Sequence, residues 1–137
     1  MSVPVHPIAS LKAAIRTRLM ANADLVALIG NAIHDAPPRG ISPPYLVLGD
    51  ADAREAGTPE RDGLKIELEI TAVTAERGTA AALAIASAVS VALQTPLPSS
   101  DGQHLMVLAF RQMSTRYDPT LQLARVVQRL SALTEPL

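Results

Sequence analysis

The side chains able to do chemistry are few and scattered. Histidines stand at His6, His34 and His104, with no pair four residues apart. That spacing marks neither a metal site nor a general base. Asp50-Ala51-Asp52 offers two carboxylates to a cation. An EF-hand loop needs further ligands at fixed offsets and a closing glutamate, and these are missing. Glu55 and Glu60 lie in a polar stretch with nothing to desolvate them, so no acid–base pair follows. Arg77-Gly78-Thr79 lacks the glycine spacing and the lysine of a phosphate loop. No Gly-x-Ser-x-Gly elbow is present. The absence of cysteine excludes disulfides, thiol nucleophiles and thiolate metal sites. No catalytic, cofactor-binding or metal-ligating residue is assigned. What remains is the chemistry of surfaces, with charged side chains set toward a partner.

Composition agrees. A chain of 137 residues suits one domain, 1–137, with a real core. Its formal net charge of -1 creates no strong field toward DNA or anionic lipid. Basic residues do not cluster with aromatics, so specific nucleic-acid recognition is not expected. The lack of cysteine fits a cytosolic product, and Met1 to Ile8 has neither the basic start nor the apolar stretch expected of a secretory leader. Charged residues are only 18%, aromatics 2%, and mean hydropathy is +0.21. Much of that reflects alanine. It also suggests apolar surface buried against other subunits.

The elements follow from local pattern. Pro7 opens a helix from about Ile8 to Asn22, with Ile8, Leu11, Ile15 and Leu19 as its apolar stripe and Lys12, Arg16 and Arg18 facing water. Asp24 to Ile29 is a short helix closed by Gly30. Ala32 to His34 is briefly extended. Asp35 to Pro44, with two proline pairs, is a stiff connector. Tyr45 to Asp50 reads as a strand, and Asp50 to Gly63 as a polar loop longer than a hairpin turn needs. In Leu64 to Thr71 apolar and polar residues alternate strictly, so one face meets the core and Lys65, Glu67 and Glu69 point outward.

Arg77 to Gln94 is the central element. Alanine favours helix, Thr79 is placed to cap it, and Pro96 stops it. Its apolar surface predicts burial on more than one side. A membrane span is the competing reading, but the run is short and weakly hydrophobic. Leu105 to Phe110 is apolar without alternation, which predicts an inner strand covered on both faces. Asp118-Pro119 marks a turn. Leu121 to Leu133 fits a helix by spacing and also fits a strand that turns Val126, Leu130 and Ala132 to one face and Arg125 and Arg129 to the other. The expected core contains Ile66, Leu68, Ile70, Leu83, Ala86, Leu108 and Phe110.

The order of these signals resembles a known family. The residues that carry it are the helix Leu11 to Leu19, the segment Ala23 to Gly30, and Ile33-His34-Asp35-Ala36-Pro37. Pro43-Pro44-Tyr45-Leu46-Val47-Leu48-Gly49 is the most specific of them. The alternating strand, the Ala-rich helix after Gly78, the Leu-rich strand and Asp118-Pro119 follow in the same order. The chain looks like a tail-terminator, or tail-completion, protein of long-tailed phages and gene transfer agents.

The resemblance covers nearly the whole chain. It implies an α+β protomer: a four-stranded, mainly antiparallel sheet with the central Ala-rich helix and an N-terminal helix packed on it. With it, Leu121 to Leu133 is taken as the last strand, although it alternates less plainly than in the family. The implied function is structural, without enzymatic activity or cofactor. A homo-hexameric ring would cap the head-proximal end of the tail tube, end tube growth and join the neck. The implied partners are the tail tube protein and the neck stopper protein, with DNA passing through the ring and no membrane. The implied place is the tail–neck junction of a virion or phage-like particle made in the bacterial cytoplasm.

The expected contact residues are Asp52, Arg54, Glu55, Glu60, Arg61 and Asp62 in the loop. On the outer sheet face they are Lys65, Glu67, Glu69, Arg125 and Arg129, with Glu67 or Glu69 opposite one of the arginines. The alternative is a small ligand-binding or enzymatic α+β domain. A concave pocket with convergent polar groups would mark it.

Overall fold

The computed structural model describes residues 7–36, 39–55, 64–98 and 104–136. Helix α1 spans Pro7–Met20 and α2 spans Ala23–Ile29. Strand β1 (Ile33–His34) leads to β2 (Tyr45–Glu55) and β3 (Leu64–Thr74). Helix α3 (Ala80–Ala92) follows, then β4 (Leu97–Pro98), β5 (His104–Asp118) and β6 (Leu123–Pro136). The strand order is β1-β2-β3-β6-β5-β4. The α+β architecture is as expected, but the sheet has six strands instead of four. The two extra ones are the two-residue pieces β1 and β4 at opposite edges: β1 falls in the stretch Ala32 to His34 read as briefly extended, and β4 is too short for any periodicity to announce.

The ambiguous last segment is a strand. Its alternation is read against β3, with Ala124, Val126, Gln128, Leu130 and Ala132 buried and Arg129 exposed. Asp118 organises the preceding turn: its Oδ1 accepts from the backbone N–H of Thr120 (2.9 Å) and Leu121 (3.1 Å).

All three helices cover one side of the sheet, where Leu46, Ile66, Leu68, Ile70, Val126 and Leu130 meet Leu11, Ile15 and Leu19 of α1 and Ala86 and Val89 of α3. The alanines of α3 let its backbone approach the strands closely. Gln128 of β6 uses that proximity: its buried Nε2 donates to the Ala86 carbonyl (3.2 Å) and to Ser90 Oγ (2.9 Å). A buried amide with both protons placed avoids the penalty of an unmade bond. Val91 on the far side of α3 is exposed, so the helix is buried on the sheet and α1–α2 sides but not all round. Thr79 holds the N-cap position without a side-chain cap bond. No helix among the described residues is long and apolar enough to cross a membrane.

Several boundaries and environments differ from expectation. Helix α1 ends at Met20, because Asn22 instead caps α2, accepting from the Leu25 N–H at 2.9 Å. Lys12, Arg16 and Arg18 do not simply face water. Lys12 pairs with Asp35 at 2.9 Å. Arg16 donates to the Ile33 carbonyl, and Arg18 to Thr95 Oγ1, to the carbonyl of Ala92 at the end of α3 and to that of Pro96 beyond it. A cation at that helix end is favoured by its free carbonyls. Leu83 and Leu108 are only half-buried, and Phe110 is 37% exposed. Strand β5 is therefore not covered on both faces. Only β4 lies beyond it, and the helices pack mainly on β2, β3 and β6, with α1 also touching β4.

Leu68 is 2% exposed in the middle of the core. Leu68→Ala is expected to cost about 2–5 kcal/mol through lost burial and a residual cavity, read as a lowered denaturant midpoint. Gln128→Ala leaves the Ala86 carbonyl to its helical bond alone and Ser90 without its partner. It is expected to cost about 1–3 kcal/mol, measured the same way.

Candidate partner-binding face

The side of the sheet away from the helices carries the charges. Strand β2 continues well past Asp50, pairing Asp52 with Glu67, Arg54 with Lys65 and Glu55 with Leu64. The expected loop Asp50 to Gly63 is thus mostly strand at its start. Cross-strand pairing extends β2 although its composition there is polar, because only one face needs to be apolar and Ala51 and Ala53 supply it. Asp52 and Arg54 lie on the outer face of β2, not in a loop. Glu60, Arg61 and Asp62 fall outside the described residues, as does the Glu55 side chain.

Both long outer strands bulge, and at the same level. Between Leu48 and Ala51 of β2 there is one residue more than β3 has between Ile70 and Leu68. Between Phe110 and Gln112 of β5 there is one more than β6 has between Leu130 and Arg129. The rung they share is Glu69 opposite Arg129, joined by an ion pair of 2.8 Å from Nε to Oε1. Here one of the two glutamates does sit across from an arginine. Asp50 lies at the bulge on one flank and Arg111 at the bulge on the other. Across the sheet the row reads Asp50, Glu69, Arg129, Arg111: two acids, then two bases.

These residues line an open groove of about 470 Å³ together with Asp52, Glu67 and Gln112. Arg111 is steadied by its Nε donating to Ser131 Oγ at 2.9 Å. Asp52 pairs along its own strand with Arg54 at 3.0 Å, and Lys65 with Glu67 at 3.7 Å. The Asp52 carboxylate, by its hydrogen bond and then by its charge, raises the Arg54 guanidinium above its ordinary pKa. Arg125 does not meet a glutamate: it faces Val73 on β3 and Arg116 on β5. Two like charges directly opposite one another are unfavourable. The β5–β6 half of this face is basic as a result, while the acids gather on β2 and β3.

The groove is shallow and its polar groups are solvated, which suits recognition between surfaces better than bond chemistry. Among the described residues, no three His, Asp or Glu side chains are grouped so as to hold a metal ion. His34 stands edge-on to Tyr45, ring centroids 5.8 Å apart, away from the groove.

Arg111 and Arg116 were not singled out from the chain, and Asp50 stood out only as one of two carboxylates for a cation. A signal existed for the bulges: Phe110 and Met113 both belong to the helix-side face although they stand three positions apart, so one of the two residues between them is extra. Leu48 and Ala51 show the same interval.

Three comparisons bear on this arrangement. A family model described as tail completion protein gp17 matches residues 13–135. A chain in a solved structure described as the virion of a native gene transfer agent (GTA) particle superposes with a TM-score of 0.82 at 32% identity, covering 96% of this chain and 99% of that one. No curated protein matches.

The Glu69–Arg129 pair is exposed, with Arg129 at 62% and Glu69 at 33% side-chain accessibility. A double-mutant cycle with Glu69→Ala and Arg129→Ala is expected to give a coupling of about 0.2–1 kcal/mol that shrinks with added salt. A larger, salt-insensitive value would assign the pair a role in holding the fold.

Proposed function

The chain belongs to the tail completion protein gp17 family, and on that footing we propose that copies of it close into a ring of six at the tail–neck junction of a phage-like particle. The ring caps the head-proximal end of the tail tube, stops further addition of tube subunits and presents its other surface to the neck stopper protein. Its contribution is positional and needs neither catalysis nor a cofactor. The observation that carries this reading is the family match across 13–135, joined to a similar chain of a gene transfer agent virion that this one covers over 99% of its length. The one-sided sheet supports it, because a sheet with helices on a single face leaves a whole polar surface for neighbours. Closed cyclic assemblies repeat one contact around the ring, and a six-fold tube would present matching partners to each copy. The connection between β2 and β3 is the segment proposed to reach the adjoining ring. Arg54 and Asp52 stand on the strand leading into it, and Lys65 and Glu67 on the strand leading out.

The test is removal of the gene in a particle-producing strain, followed by electron microscopy and weighing of the assembled junction. Tubes of uncontrolled length that fail to join heads are expected. In intact particles the chain should be present in six copies. Tails of normal length and attachment without the chain would overturn the capping role. A second variant replaces the β2–β3 connection by a short Gly-Ser turn, and it is expected to leave the protomer folded while tails fail to complete.

A further inference from the structure

We infer that the two open edges of the sheet join between copies, β5 of one against the β2 edge of the next, so that one sheet runs on from subunit to subunit. The inference rests on the ring reading above and specifies its seam.

The first ground is unpaired backbone. Strand β5 has 15 residues, yet β4 pairs with only Leu105 and Met106 of it. Strand β2 has 11, yet β1 pairs with only Leu46 and Val47. Among the described residues no other strand meets either edge. Long edges with free N–H and C=O groups are templates for another strand. The two short strands block opposite ends. Following the rungs across the sheet, β1 lies level with Thr115 of β5, whereas β4 lies beyond Val107. The open stretches therefore coincide where Leu48 to Ala53 is level with Leu108 to Met113.

Direction fits as well. Strands β2, β3, β6 and β5 are successively antiparallel, so β5 runs opposite to β2. A copy related by rotation about an axis along the strands presents its β2 antiparallel to β5, as the rest of the sheet requires.

Charge selects this partner over an unrelated strand. The row Asp50, Glu69, Arg129, Arg111 ends in an acid on one flank and a base on the other, at one level. Setting two copies side by side brings Asp50 of one beside Arg111 of the other. Such head-to-tail complementarity repeats without limit until the rotation closes. On the helix side, Phe110 and Met113 are 37% and 47% exposed because no helix of their own chain covers them. Helix α1 packs on β2 as well as on β4 of its own chain, so joining the β2 edge to β5 carries the next copy's α1 toward these two side chains.

The test is a disulfide trap in assembled particles, using Asp50→Cys with Arg111→Cys in one chain. The natural sequence has no cysteine, so any bridge is the introduced one. Within one chain the two positions lie three strand spacings apart, about 14 Å, beyond the roughly 7 Å limit for a disulfide. A ladder of cross-linked multimers on a non-reducing gel is expected. If the chain enters particles in six copies but runs only as monomer, the seam is wrong and the ring stands. One copy per particle overturns both. Charge exchange provides a second measurement if the cysteine chain misfolds. Asp50→Arg or Arg111→Asp alone is expected to lose incorporation into particles, and the two together to regain it. Single exchanges that incorporate normally, or a double exchange that fails like the singles, overturn the seam.

Discussion

The seating of α3 on the β3–β6 pair is the contact on which the rest depends. Those two strands are the middle of the sheet, and every other strand is added outward from them. The alanines of α3 bring its backbone close enough for Gln128 to reach the Ala86 carbonyl. Larger side chains at Ala82 or Ala86 would hold the helix off the sheet and break that reach. Helices α1 and α2 then complete the same layer, with Arg18 bonded to carbonyls at the end of α3.

Magnitudes separate what holds the fold from what is free to serve a partner. A fully buried Leu or Ile is worth roughly 1.5–3 kcal/mol, and the core has many. An exposed ion pair is worth about 0–1 kcal/mol. Glu69–Arg129, Asp52–Arg54 and Lys65–Glu67 are all of the exposed kind. The outer face can therefore change charge at little cost to the protomer. Its pattern is not set by internal stability. The opposed Arg116 and Arg125 agree with this, since that arrangement is mildly unfavourable within the protomer.

The paired bulges connect the fold to that surface. A bulge adds a residue, bends the strand and redirects a side chain. Without the extra residue in β2, Asp50 would not stand on the rung of Glu69. Without the one in β5, Phe110 and Met113 would fall on opposite faces. Because both bulges share one rung, the charges they redirect form a single row. Edge strands of this length normally carry protection against adventitious pairing. Here the short β1 and β4 supply it at one end each, and leave the level of the bulges open.

The sequence alone determined the class of the protein and most of its elements. The alternation of Leu64 to Thr71 reveals β3, because a strand with one buried face has a period of two. Ala80 to Ala92 reveals α3 through propensity and the stops around it. The proline-rich lead into Tyr45 and the order of segments carried the family resemblance. Tertiary structure decided what local pattern cannot hold. Strand β2 extends to Glu55 because β3 offers it hydrogen bonds, not because its own residues favour a strand. Leu121 to Leu133 fits two periodicities, and pairing with β3 and β5 selects one. Phe110 is apolar yet open, since burial depends on where the helices end. The row from Asp50 to Arg111 joins residues of four strands, far apart along the chain. Only register brings them to one level, and register is a property of pairs of strands, which no single segment encodes.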